Sequence, residues 1–148
     1  MTRSVIIGVG NRLRGDDAVG CAVIDELAGL EGAALFDVGS SPENYIEPVA
    51  RLKPARILFV DACDFGGKPG EFRLFSRAEF EELAYGLLST HTLPLHLTAE
   101  MLAQETKASI ELLGVQPLSI EFNQPLSEPV RSGLPAVAGY CRSWAATV

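Results

Sequence analysis

At 148 residues, with 12 Lys and Arg against 19 Asp and Glu, the chain suits one domain, and its net charge of −7 lacks the basic footprint that a nucleic-acid partner demands. Apolar residues make up 47% and charged ones 21%, a globular balance; no apolar run nears the ~20 residues that span a bilayer, so no membrane insertion is expected. Cys21, Cys63 and Cys141 are scattered and form no C-x-x-C pair, which argues against a disulfide framework or thiolate zinc site and suits a reducing, cytoplasmic compartment.

Met1-Thr2-Arg3 leads directly into an apolar run, so no signal peptide is expected. Ser4 to Val9 reads as a buried strand ending in the turn Gly8-Val9-Gly10-Asn11. Asp16 or Asp17 can cap a helix reaching about Leu30, with Val19, Ala22, Val23, Leu27 and Leu30 at helical spacing. Ala33 to Asp37 is a short strand closed by Gly39-Ser40-Ser41, and Pro42 opens a helix ending near Leu52-Lys53-Pro54. Arg56 to Asp61 is the clearest buried strand.

After the turn-rich Gly66-Gly67-Lys68-Pro69-Gly70, the alternation in Glu71 to Phe75 predicts an edge strand. Helices are expected over Arg77 to Leu87 and Pro94 to Gln104, a strand over Ser109 to Val115, and a terminal helix after Ser127 interrupted by Gly133 and Pro135. Alternating strands and helices imply an α/β fold, a three-layer α/β/α sandwich whose twisted sheet is mostly parallel with one antiparallel edge strand. There is no internal repeat, low-complexity tract or linker, and residues 1–148 are read as one domain.

In such sheets ligands bind beyond the carboxyl ends of the strands. Asp16 and Asp17 follow the first strand, Asp37 ends the second, Asp61 ends the third, and His91 lies in the loop Ser89-Thr90-His91-Thr92-Leu93-Pro94. Two carboxylates ~5 Å apart at an effective dielectric near 20 repel by about 3 kcal/mol, which a cation or a raised pKa must offset. Carboxylates mixed with imidazole suit nickel or zinc better than magnesium. Each residue alone also suits a plainer role: Asp16 or Asp17 as a helix cap, Asp61 as a turn former, His91 as a capping or surface residue. Their joint position at one sheet edge favours a shared metal ion. His96 reads as structural, and Cys63 as a core cysteine more than a nucleophile with His91 as its base.

Gly8-x-Gly10 raises a dinucleotide reading, with Asp37 in its favour. The third glycine of that fingerprint is absent, Leu13 standing in its place, and Asp16 and Asp17 would oppose a pyrophosphate. Neither a Walker-type G-K-[ST] nor an H-E-x-x-H occurs.

Gly8-Val9-Gly10-Asn11 with Gly15-Asp16-Asp17-Ala18-Val19-Gly20, Asp37-Val38-Gly39-Ser40-Ser41-Pro42-Glu43-Asn44, Val60-Asp61-Ala62-Cys63-Asp64, Pro69-Gly70-Glu71, Thr90-His91-Thr92-Leu93-Pro94-Leu95 and Leu113-Gly114-Val115-Gln116-Pro117 together resemble the nickel-iron hydrogenase maturation endopeptidases. Within that family the chain most resembles the branch that processes formate-hydrogenlyase (hydrogenase-3) large subunits. The resemblance implies a twisted sheet between helices and a peptidase that removes a C-terminal extension from a hydrogenase large-subunit precursor after nickel insertion. It implies Asp17, Asp61 and His91 as catalytic and nickel-contacting residues, the nickel being supplied by the substrate's own active site. Two other readings stay open: a non-hydrolytic nucleotide- or metal-binding protein of Rossmann-like fold, and a protease for another substrate, akin to spore-protease-like relatives.

Overall fold

The computed structural model describes residues 4–83 and 95–147. Among them, β1 (Ser4–Gly8), β2 (Ala34–Asp37), β3 (Arg56–Ala62), β4 (Phe72–Ser76) and β5 (Ser109–Val115) form one sheet in the order β2-β1-β3-β5-β4. The pairs β1–β2, β1–β3 and β3–β5 are parallel, and β4 runs antiparallel to β5 at the edge. The helices are α1 (Val19–Glu26), α2 (Ile46–Arg51), α3 (Arg77–Leu83), α4 (Leu95–Thr106) and α5 (Glu128–Ala146).

The central strands are near-continuous apolar runs because both faces of a parallel sheet are covered. Val5, Ile7, Ile57, Phe59, Ile110 and Leu112 pack with Val49 of α2, Phe80 of α3, and Ala99 and Leu102 of α4. The alternate residues Ile6, Leu58, Val60, Leu113 and Val115 pack on the other face with Val19 and Val23 of α1 and with Val130, Leu134, Val137, Cys141 and Trp144 of α5. The expected three-layer α/β/α sandwich with one antiparallel edge strand is thus the observed architecture. All three cysteines are free thiols and buried. Among the described residues no helix is long and apolar enough to cross a membrane.

Strand order decides where a site can form. From β1 the chain crosses to β2 on one side and then returns to place β3 on the other. The following connections therefore diverge to opposite faces, α1 to one and α2 to the other, and open a crevice at the carboxyl ends of β1 and β3.

Three local expectations differ from the structure. Neither Asp16 nor Asp17 caps a helix: both lie inside a 3-10 turn, Gly15–Ala18, and α1 begins after it without a side-chain cap. That helix stops at Glu26, short of Leu30. The terminal helix is continuous through Gly133 and Pro135. A proline inside a helix costs about 3 kcal/mol, whereas each large apolar side chain buried along this helix contributes roughly 1.5–3 kcal/mol. The buried stripe of Val130, Leu134, Val137, Ala138, Cys141 and Trp144 outweighs the break, and Pro135 itself faces solvent. Of the expected Arg77–Leu87 helix, the part beyond Leu83 lies outside the described residues.

Candidate active site at the carboxyl edge of the sheet

The loop after β1 is drawn tightly back over the strand ends. A Cβ on Gly10, whose φ is +150°, would lie 1.8 Å from the Asp17 carbonyl oxygen. One on Gly20 would lie 2.3 Å from the carbonyl oxygen of Val60 and 2.4 Å from that of Val9. These glycines let the start of α1 sit directly against β1 and β3, which carries Asp17 to the same edge as Asp61. The close approach that Gly8-x-Gly10 permits is used by the chain's own backbone, so the dinucleotide signal has a packing cause.

Asp17 and Asp61 are both buried, 5% and 7% exposed. Asp17 Oδ2 accepts the Asn11 N–H at 2.8 Å, and Asp61 Oδ1 accepts the Ala62 N–H at 2.8 Å. The turn that carries Asp17, Gly15–Ala18, packs against β3, the strand that carries Asp61. A pocket of about 180 Å³ opens beside Asp17, lined by Asp17, Ala62, Cys63, Asp64 and the stretch from Gln116 to Ile120; Asp61 precedes this lining by one residue and is not itself part of it. At ~30 Å³ per water it has room for several waters, or for a peptide group and one water.

Asp16 has different work. Fully buried, its carboxylate accepts the N–H groups of Leu118 (2.8 Å), Ser119 (3.2 Å) and Ser127 (2.7 Å) and the Ser127 hydroxyl (2.7 Å). Backbone bonds run alongside, from Gly15 N–H to the Gln124 carbonyl and from Asp16 N–H to the Ser119 carbonyl. The turn carrying Asp17 is thereby fastened to the linker between β5 and α5.

Gln116 is a functional candidate that the sequence reading left without a role. Its Oε1 accepts the N–H groups of Phe65 and Gly67, and its Nε2 donates to Asp64 Oδ1. The available signal was a polar residue at the carboxyl end of β5, the same edge as the acids. Bonds from Gln116 and from the Gly66 N–H hold the Asp64 carboxyl below its usual range.

Asp37 and Cys63 have plainer roles. Arg12 forks between Asp25 (2.8 Å) and Asp37 (2.6 Å). Burial alone would push the Asp37 carboxyl up, yet bonds from Arg12, the Cys21 thiol and the Gly39 N–H together hold it below the ordinary value. Asp37 is not among the residues lining the pocket. Burial, followed by the nearby Asp61 and Asp64 charges, pushes the Cys63 thiol up to about 12, the opposite of an activated nucleophile.

Of the three residues expected to converge, Asp17, in the turn before α1, and Asp61, near the end of β3, lie at the same edge of the sheet; His91 lies outside the described residues. Among the described residues no three His, Cys, Asp or Glu side chains are grouped to hold a metal ion. Two buried carboxylates supply hard oxygen donors, which fit a divalent cation whose other positions are filled from elsewhere. His96 lies in the first turn of α4 and does not line the pocket.

A family profile described as hydrogenase maturation protease (HycI) matches residues 21–143. The hydrogenase 3 maturation protease of Escherichia coli K12 is 31% identical over 142 residues, covering 95% of this chain and 89% of that protein. The crystal structure of a [NiFe] hydrogenase maturation protease HycI from Thermococcus kodakarensis KOD1 superposes with a TM-score of 0.84 at 34% identity, covering 99% of this chain and 94% of the other. The solution structure of the endopeptidase HycI from Escherichia coli gives a TM-score of 0.85 at 32% identity, covering 97% and 91%.

Proposed function

The chain belongs to the hydrogenase maturation protease family, and from that premise we propose that it removes the C-terminal extension of a [NiFe]-hydrogenase large-subunit precursor after nickel has been inserted. The observation that carries this reading is the burial of Asp17 and Asp61 at one edge of the sheet, with Asp17 lining a pocket large enough for a peptide group.

In this reading Asp17, Asp61 and His91 contact nickel that the precursor brings in its own active site. A precursor without metal offers these acids no counter-charge, so the cleft discriminates finished from unfinished substrate. Hydrolysis adds water across the scissile amide: the water oxygen joins the carbonyl carbon, the C–N bond breaks, and the amine leaves with a proton. An Asp carboxylate accepts the proton of the attacking water, and the substrate's nickel, contacted by Asp17, Asp61 and His91, would supply Lewis-acid polarisation of the carbonyl. The free, buried thiols agree with action in the reducing cytoplasm.

The test is single replacement of Asp17, Asp61 and His91 by Ala, assayed by loss of the extension from nickel-loaded and nickel-free precursor. Each variant is expected to lose about 100-fold or more of the rate, and the wild type to leave the nickel-free precursor uncut. Full activity in all three variants would sink the mechanism.

A further inference from the structure

Both carboxylates of the proposed site adjoin segments that are tied to one place. The turn bearing Asp17 is held through Asp16, whose carboxylate takes its four donors from Leu118, Ser119 and Ser127. The loop after Asp61 is held through Gln116, which ties Phe65, Gly67 and Asp64. Residues 116–127 therefore hold the segments beside both acids, through two polar side chains that are themselves buried, 0% and 7% exposed.

We propose that the β5–α5 linker is the brace that sets the spacing of Asp17 and Asp61, and that Asp16 and Gln116 are positioning residues for the reaction. This rests on the reading of Asp17 and Asp61 as the working carboxylates. The physical case is one of stiffness. Loops at sheet edges are ordinarily the softest part of an α/β fold, and a displacement near 1 Å at a reacting group can cost about 100-fold in rate. A carboxylate accepting several charge-assisted bonds is a strong local tie. Here one such tie stands immediately beside Asp17, and an amide with three bonds holds the loop beyond Asp61. Neither clamp needs to touch substrate to fix where the reacting carboxylates stand.

The experiment uses the full-length chain with Asp16→Asn, Gln116→Leu and the milder Ser127→Ala, which removes only the hydroxyl donor to Asp16. Melting is measured first, so that all assays run well below each midpoint. Residue-resolved amide hydrogen exchange then reads the site without any activity. In Asp16→Asn the Leu118, Ser119 and Ser127 amides should exchange faster, and the Asn11 amide, which binds Asp17, should accelerate with them by at least about tenfold, while Val23 and Ile24 in α1 keep wild-type protection. In Gln116→Leu the Phe65 and Gly67 amides should accelerate together with Ala62, which binds Asp61. Against nickel-loaded precursor, kcat should fall roughly tenfold in both variants and two- to fivefold in Ser127→Ala, with KM within about twofold. A purely structural role lowers the melting midpoint and leaves kcat per folded molecule unchanged.

Fast exchange confined to Leu118, Ser119 and Ser127, with Asn11 protection and kcat at wild-type values, would overturn the proposal for Asp16; the matching result at Ala62 would overturn it for Gln116. Should Asp16→Asn not fold, Ser127→Ala decides that arm by the same two readouts. A wild type that leaves the precursor uncut would defeat the functional reading, and the exchange pattern would still decide whether the linker positions the acids.

Discussion

Asp16 and Asp17 are neighbours in the chain whose carboxylates end in different environments. Asp16 reaches Leu118, Ser119 and Ser127 and is fully enclosed, while Asp17 takes the Asn11 N–H and borders the pocket. Substitutions at the two should therefore separate. Asp17→Asn is expected to lose cleavage with a melting midpoint near wild type. Asp16→Asn places an amide NH₂ where N–H donors converge and should cost about 3 kcal/mol, on the order of a 10 °C drop in midpoint. Thermal melts of both variants beside a cleavage assay give the comparison; equal melting losses would contradict the division.

Cys63 borders the pocket next to the catalytic candidates, which invites a thiol mechanism. Its burial and raised pKa, about 12, argue otherwise. Cys63→Ala is expected to retain cleavage within about threefold and to lose roughly 1 kcal/mol of stability to the small cavity. Iodoacetamide at pH 8 should leave the native protein unlabelled at all three cysteines. Loss of activity in a folded Cys63→Ala protein would reopen the nucleophile.

Gly20 sits in the first turn of α1, where alanine would ordinarily stabilise a helix by up to about 1 kcal/mol. Its Cβ would stand 2.3 Å from the Val60 carbonyl oxygen, so the backbone must move. Overpacking costs typically about 1–3 kcal/mol, and the clash with two strand carbonyls should win. Gly20→Ala is expected to lower the urea midpoint; an unchanged or higher midpoint would mean that α1 can lift from β1 and β3 at little cost.

The Arg12–Asp37 pair should leave a pH signature on stability. The Asp37 carboxyl is held below its ordinary value in the folded chain, so the folded state binds its proton less readily than the unfolded state does. Its contribution is then complete above the ordinary Asp value near 4 and is lost as pH falls through the lower folded value. The pair is partly exposed, so the effect is under about 1 kcal/mol. Asp37→Asn should be slightly less stable than wild type at pH 7, with the gap closing below about pH 4. Denaturant melts across pH 2 to 7 would show this, and a gap that widens in acid would refute it.

The strands were legible because their signal is local. β3 and β5 are apolar runs bounded by polar residues, and burial on both faces leaves that pattern in the letters themselves. The terminal helix was legible only in part: Gly133 and Pro135 are local breakers, and what overrode them was an apolar stripe whose worth depends on the sheet it covers. The candidate site divides the same way. Acids at strand ends could be read directly, and Gln116 could not, because its partners, Phe65, Gly67 and Asp64, lie some fifty residues away in sequence.

The order of apolar runs and punctuating turns was enough, in the letters alone, to specify an α/β chain with acids at the carboxyl ends of its strands. Periodicity and turn chemistry act over a few residues and need no distant partner. The division of work between Asp16 and Asp17 was decided by the tertiary structure. The hydrogen bonds of Asp16 span 102 to 111 positions of the chain, and such bonds exist only once packing has closed the linker over the first loop.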